Sequence, residues 1–146
     1  MSLTVTAKTL VQPTEDEAKV ERALLKLFPS SRITRTAGPD DTVTLSIRES
    51  GLQPLANLRN LIKQERIRSA ARAVLIRNTR GRTIRIYLNK QAAFMGRVSF
   101  CEPIGESPHG PISVELDCDD TQSVIDYLAS PANLNPEAEV MQRRRR

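Results

Sequence analysis

The sequence predicts an α+β domain, with a mostly antiparallel sheet and helices packed on one of its faces. Three observations carry this. Val43, Leu45 and Ile47, then Ile84, Ile86 and Leu88, then Ile112, Val114, Leu116 and Cys118 each alternate with polar residues. That is the period of a strand with one covered face. Val20 to Phe28 and Leu55 to Leu75 instead carry apolar residues at helical spacing. Ile33 to Ile47 reads as a hairpin around Gly38-Pro39-Asp40-Asp41, which is turn chemistry.

Taken in order, Leu3 to Val11 is rich in Thr, Val and Leu and predicts a first strand, closed by Pro13. Thr14 to Glu17 has capping-box spacing, so the Thr14 hydroxyl is expected to take the Glu17 amide and open a helix over 14–28. Pro29 ends that helix. After the hairpin, Leu55, Leu58, Leu61 and Ile62 form one stripe, and Ile67, Ala70, Ala71, Val74 and Leu75 a second. Gln64-Glu65-Arg66 breaks the register, so this is two helices or one bent one. Gly81 is a turn or C-cap. A strand over 83–88, a short helical run from Lys90 to Ala93 and a strand remnant at Val98 to Phe100 follow. Cys101 to Pro111, with three Pro and two Gly, reads as an exposed loop. Ile112 to Cys118 is the next strand, and Asp119 or Asp120 caps a last helix bearing Val124, Ile125 and Leu128. The predicted order is β-α-β-β-α-α-β-β-β-α, a single domain over 1–130. Residues 131–146 are expected to be a flexible tail ending in four arginines.

At 146 residues the chain has the size of one core. No apolar run reaches the roughly 20 residues that span a bilayer, and the N-terminus lacks the layout of a signal peptide, so a cytoplasmic location is expected. Cys101 and Cys118 are too few for a disulfide framework or a Cys-based zinc site.

The net charge of +5 conceals a division. Residues 1–58 carry seven basic and seven acidic groups. Residues 59–97 carry eleven basic groups against Glu65 alone, net +10, while 98–142 hold nine carboxylates and no Lys or Arg. The final four arginines account for most of the excess.

Catalytic chemistry finds little support. His109 is the single histidine, set in the Pro/Gly loop, and no Gly-x-Ser-x-Gly elbow or phosphate-binding glycine loop is present. A Cys101–His109 dyad would be positioned only by loop, and a pocket gathering Lys90, Gln91, Ser107 and His109 would be needed for an enzyme. Asp117, Asp119 and Asp120 fit a strand end and a helix cap without any metal. The expectation is therefore no enzyme, no metal and no cofactor. The basic segment carries more. On a helical wheel Arg66, Arg68, Arg72, Arg77 and Arg80 fall away from the apolar stripe, a face able to neutralise phosphates. The opposing reading is a solvated face whose arginines pair with the acidic stretch. With five aromatics and no Trp, base-stacking surface is scarce.

Pro13 to Glu17, the run Leu88-Asn89-Lys90-Gln91-Ala92-Ala93-Phe94 continuing through Gly96-Arg97-Val98-Ser99-Phe100, and Glu106-Ser107-Pro108 with Gly110-Pro111-Ile112 resemble an archaeal family of uncharacterised proteins. Arg66-Ile67 and Ile125 to Ala129 extend the likeness over about residues 3–130. That family is often described as predicted RNA-binding and exosome-subunit-like. The resemblance implies a fold like that of the ribosomal protein that binds 5S ribosomal RNA, and a homodimer. His109, Tyr127, Ser130 and the tetra-arginine tail depart from the family pattern.

Two functions follow. One is a non-catalytic module for structured RNA, with Lys90, Gln91, Arg97, Arg66, Arg68 and Arg72 as the contact residues. The other is a self-associating scaffold whose basic segment is covered by its acidic stretch. The Asn89 to Arg97 run reads either as a polar ligand surface or as a tight connection whose polar groups satisfy buried backbone.

Overall fold

The computed structural model describes residues 2–101 and 110–131. Strand β1 (Leu3–Val11) leads to helix α1 (Glu17–Leu27), then β2 (Thr34–Ala37) and β3 (Val43–Ser50). Helices α2 (Ala56–Gln64) and α3 (Arg68–Arg77) follow, then β4 (Thr79–Arg80), β5 (Thr83–Leu88), α4 (Lys90–Phe94), β6 (Ile112–Cys118) and α5 (Thr121–Leu128). The strands form one six-stranded sheet in the order β2-β3-β1-β6-β5-β4, every neighbouring pair antiparallel. The α+β class and the one-sided sheet are therefore as the sequence predicts.

The alternation sets the layers. Val5, Ala7, Leu45, Ile47, Ile84, Ile86, Val114 and Leu116 are all but fully buried on one face. Their partners Thr4, Thr6, Ser46, Tyr87, Ser113 and Glu115 lie on the other face, where they keep some exposure. The helices cover the first face with Val20, Ala23, Leu24 and Leu27 of α1, Leu58 and Ile62 of α2, Ala71 and Leu75 of α3, and Val124, Ile125 and Leu128 of α5.

Local details differ from expectation in four places. Helix α1 is capped by Asp16, whose carboxylate accepts from the Ala18 amide at 3.0 Å, and not by Thr14. Glu15 is turned back instead, accepting from the Gln12 amide at 2.9 Å. Val98 to Phe100 does not form a strand; it contributes a single bridge, Leu88 to Phe100. The sixth strand is the two-residue β4, paired with the start of β5 across Gly81-Arg82. Gly81 has φ of 60°, which a two-residue hairpin loop requires at that position. Finally, Ala70 is exposed, because α3 begins only at Arg68 and turns Ala71 and Leu75 to the core.

The break at Gln64-Glu65-Arg66 separates two helices. The Ile67 amide reaches back to the Ile62 carbonyl at 3.2 Å and the Arg66 amide to that of Lys63 at 3.1 Å. This is the paired bonding of a Schellman motif. It places Arg66 at the left-handed position, with φ of 58°. At the other end of the chain Asp120 caps α5, accepting from the Ser123 amide at 3.1 Å and its hydroxyl at 2.6 Å. That hydrogen bonding holds its carboxyl below the usual range. The loop over 102–109, with Ser107 and His109, and the expected tail from 132 onward lie outside the described residues.

Leu24 sits at 0% exposure between the sheet and its neighbouring helices. Leu24→Ala should lower stability by about 3 kcal/mol, the loss typical of a buried Leu truncation that leaves a cavity. Chemical denaturation with an unchanged m-value checks it.

Candidate nucleic-acid interface

The helical wheel predicts five arginines on one face, and the structure disperses them. Arg66 lies in the turn before α3 and Arg80 on β4, so only Arg68, Arg72 and Arg77 belong to the helix. Arg72 is turned toward α5, donating to Asp126 at 2.7 Å and to the Ala129 carbonyl at 3.1 Å. Here the acidic stretch does cover the basic one. Arg85 pairs with Glu115 at 3.2 Å across β5 and β6. Arg82 donates to the Cys118 carbonyl and Arg80 to those of Arg77 and Thr79. Arg59 stands 5.0 Å from the centre of the Tyr127 ring.

Lys90 is the largest departure. It was expected to meet phosphate, but it is 5% exposed. Its ammonium donates to the Leu10 carbonyl at 2.7 Å and to both Glu15 carboxylate oxygens at 3.1 and 3.2 Å. Burial lowers the Lys90 pKa, against the opposing pull of Glu15. The Asn89 side chain caps α4 by accepting from the Ala92 amide at 2.8 Å, and the Asn89 amide donates to the Ser99 carbonyl. So most of the Asn89 to Phe100 run works as a tight connection, while Gln91 and Arg97 remain exposed.

Of the basic residues left in 59–97, Arg77 stands at the far end of α3 and the other four are concentrated. Lys63, Arg66, Arg68 and Arg97 make no ion pair with another described residue. Three of them bracket the α2–α3 junction. The fourth is brought there by Glu65, whose carboxylate accepts from the Val98 amide at 2.7 Å. Arg66 and Arg97 are each one residue from that clamp. Glu65 is the single carboxylate of 59–97, and it is committed to a backbone amide. The first turn of α3 has no side-chain cap and no acidic residue, so its amide dipoles add to the positive field. Lys63 was not singled out in the sequence; its position beside a helix break was the available signal.

The other candidates are apart from this cluster. Asp117 accepts from the Thr83 hydroxyl at 2.7 Å and Asp119 from the Ser2 amide at 3.0 Å. With Asp120 at its cap, the three carboxylates take separate partners, and among the described residues no group of metal-ligating side chains converges. Cys118 is buried and Cys101 half-buried. No described helix is long and apolar enough to cross a membrane.

Fold and site together define a two-layer α+β domain with an unpaired cationic patch at a helix junction. A family model described as RNA binding matches residues 4–117. A UPF0201 protein of Sulfurisphaera tokodaii is 38% identical over 118 residues, 81% of each chain. Another, from Methanothermobacter thermautotrophicus, is 38% identical over 82% of this chain and 85% of its own. The crystal structure of the UPF0201 protein from Methanococcus jannaschii superposes with a TM-score of 0.78 at 30% identity, covering 88% of this chain and 94% of that one. The chain belongs to the archaeal UPF0201 family.

Removing the Lys90 ammonium leaves Glu15 buried without its cation. Lys90→Ala should therefore cost about 3–5 kcal/mol. Lys90→Met combined with Glu15→Leu should recover most of it, since a well-packed apolar pair replaces a buried ionic one at little cost. Denaturant melts of the three proteins decide this.

Proposed function

We propose that this protein is a non-catalytic RNA-associated module that contacts phosphate through Lys63, Arg66, Arg68 and Arg97. The observation that carries this is the cluster itself: four cations brought together at one junction, where the nearby carboxylate is tied to an amide. The family model's description supports it. On this reading the protein works in the cytoplasm, carries out no reaction and needs no cofactor.

Arg66 supplies an unusually clean test. A left-handed backbone costs a non-glycine residue about 1 kcal/mol or more, and glycine nothing. Arg66→Gly should hold or raise the melting temperature while removing one phosphate contact. Filter binding of a structured RNA across a salt series should then give a log–log slope shallower by about one unit, with Arg97→Ala doing the same. Unchanged slopes in both variants refute the assignment, and Arg72→Ala, already paired with Asp126, serves as the control.

A second reading is a homodimeric scaffold in which the basic segment of one copy meets the acidic stretch of the other, the pairing that Arg72–Asp126 and Arg85–Glu115 make within one chain. If charge complementarity also joins two copies, light scattering at micromolar concentration should give twice the chain mass at low salt and the single mass at high salt. A single mass at both salts ends that reading.

A further inference from the structure

We propose that the cleft between α1 and α4 receives an unstacked nucleobase from a single-stranded segment of RNA, with the flanking phosphate toward Arg97. This rests on the phosphate-contact reading above and adds the class of RNA to it. The cleft encloses about 600 Å³, within the range of small-molecule sites. Among the described residues its walls are mostly apolar: Val20 and Ala23 from α1, Phe94 and Met95 from the end of α4. Met95 is 70% exposed, the highest value among the large hydrophobic residues described. The Phe94 ring is held by Lys26, whose ammonium donates to the Phe94 carbonyl at 2.7 Å and lies 5.4 Å from the ring centre.

The charges inside cancel. Lys90 is matched by Glu15, and Lys19 and Asp16 stand on the same rim with opposite signs. A charged ligand gains little there, whereas a neutral planar one gains a ring and a polarisable thioether to lie against. Gln91, exposed on the rim, offers one amide donor group and one carbonyl acceptor, the combination that reads a base edge. Position ties the cleft to the cation cluster. Arg97 is three residues beyond Phe94, no more than about 10 Å of chain. Gly96, at φ of 76°, makes the turn that brings the Arg97 amide back to the Ala92 carbonyl at 2.8 Å. A nucleotide with its base in the cleft can thus place its phosphate at Arg97.

The experiment compares two RNAs with the full-length chain: a hairpin carrying 2-aminopurine in its loop, and a fully paired duplex of equal charge. The expected result is fluorescence quenching of the loop base and roughly five- to tenfold tighter binding to the hairpin, the lower range of base stacking on a side chain. Met95→Ala and Gln91→Ala, both at exposed positions, should bring the hairpin down to the duplex affinity and leave duplex binding unchanged. Arg97→Ala should weaken both RNAs. Equal affinity of the unsubstituted protein for hairpin and duplex overturns the cleft assignment while leaving the phosphate contacts standing. So does a hairpin preference that survives both cleft variants. No binding to either RNA at low salt removes the phosphate reading and the cleft assignment together.

Discussion

A sheet with one apolar face can be buried from one side only, and the architecture follows from that. The four central strands β3, β1, β6 and β5 carry the same alternation in register, so Val5, Ile47, Val114 and Ile86 fall on one face. Burying a Val, Leu or Ile side chain contributes about 1.5–3 kcal/mol, and a period-two register cannot slip without exposing the whole set. All the longer helices must therefore stack on that face. The chain meets this by sending each connection back over the same side: α1 between β1 and β2, α2 and α3 between β3 and β4. The polar face is left with Thr, Ser and a few charges.

Crowding the helices into one layer then decides where the charges go. Helices that share one layer touch along their sides, so an arginine on a shared side meets the neighbouring helix before it meets water. Arg72 is turned to Asp126 because α5 packs beside α3. Lys90 is drawn under the α1–α4 contact and neutralised by Glu15. The junctions escape this constraint, since chain that changes direction protrudes from the layer. That is where Lys63, Arg66, Arg68 and Arg97 gather, around the turn between α2 and α3 and the chain just beyond α4.

Much of the fold was legible, because period and turn chemistry are local properties. The strands at Val43, Ile84 and Ile112, the α1 stripe and the break at Glu65 all follow from spacing. The cap of α1 was misplaced by two residues because Thr14 and Asp16 are both competent caps. What decided between them was Lys90, seventy-five residues away, claiming Glu15. The same long-range pairing explains the error over Lys90, since an isolated lysine in a polar run looks solvent-facing. The arginine face failed for a related reason. A helical wheel assumes one continuous helix, and Arg66 ends one helix before the next begins. The nearness of Arg97 to Arg66 was not legible at all, because its cause is a long-range contact, the Glu65 carboxylate accepting from the Val98 amide.

The conformation of Arg66 adds a last step. Glycine is the usual residue at the left-handed position that ends a helix, since any other side chain crowds the backbone there. A strained residue persists where its side chain is worth more than the strain it causes. Arg66 makes no ion pair with a described residue and is exposed, so neither packing nor salt bridging accounts for it. Its guanidinium is directed outward beside an uncapped helix N-terminus whose first turn lacks a carboxylate. Both features cost stability in the isolated chain, because like signs meet there without relief. An anion at the junction relieves that like-sign contact but not the backbone strain. On the proposed function, phosphate relieves the electrostatic penalty at this junction, and the backbone strain is the cost of setting a cation there.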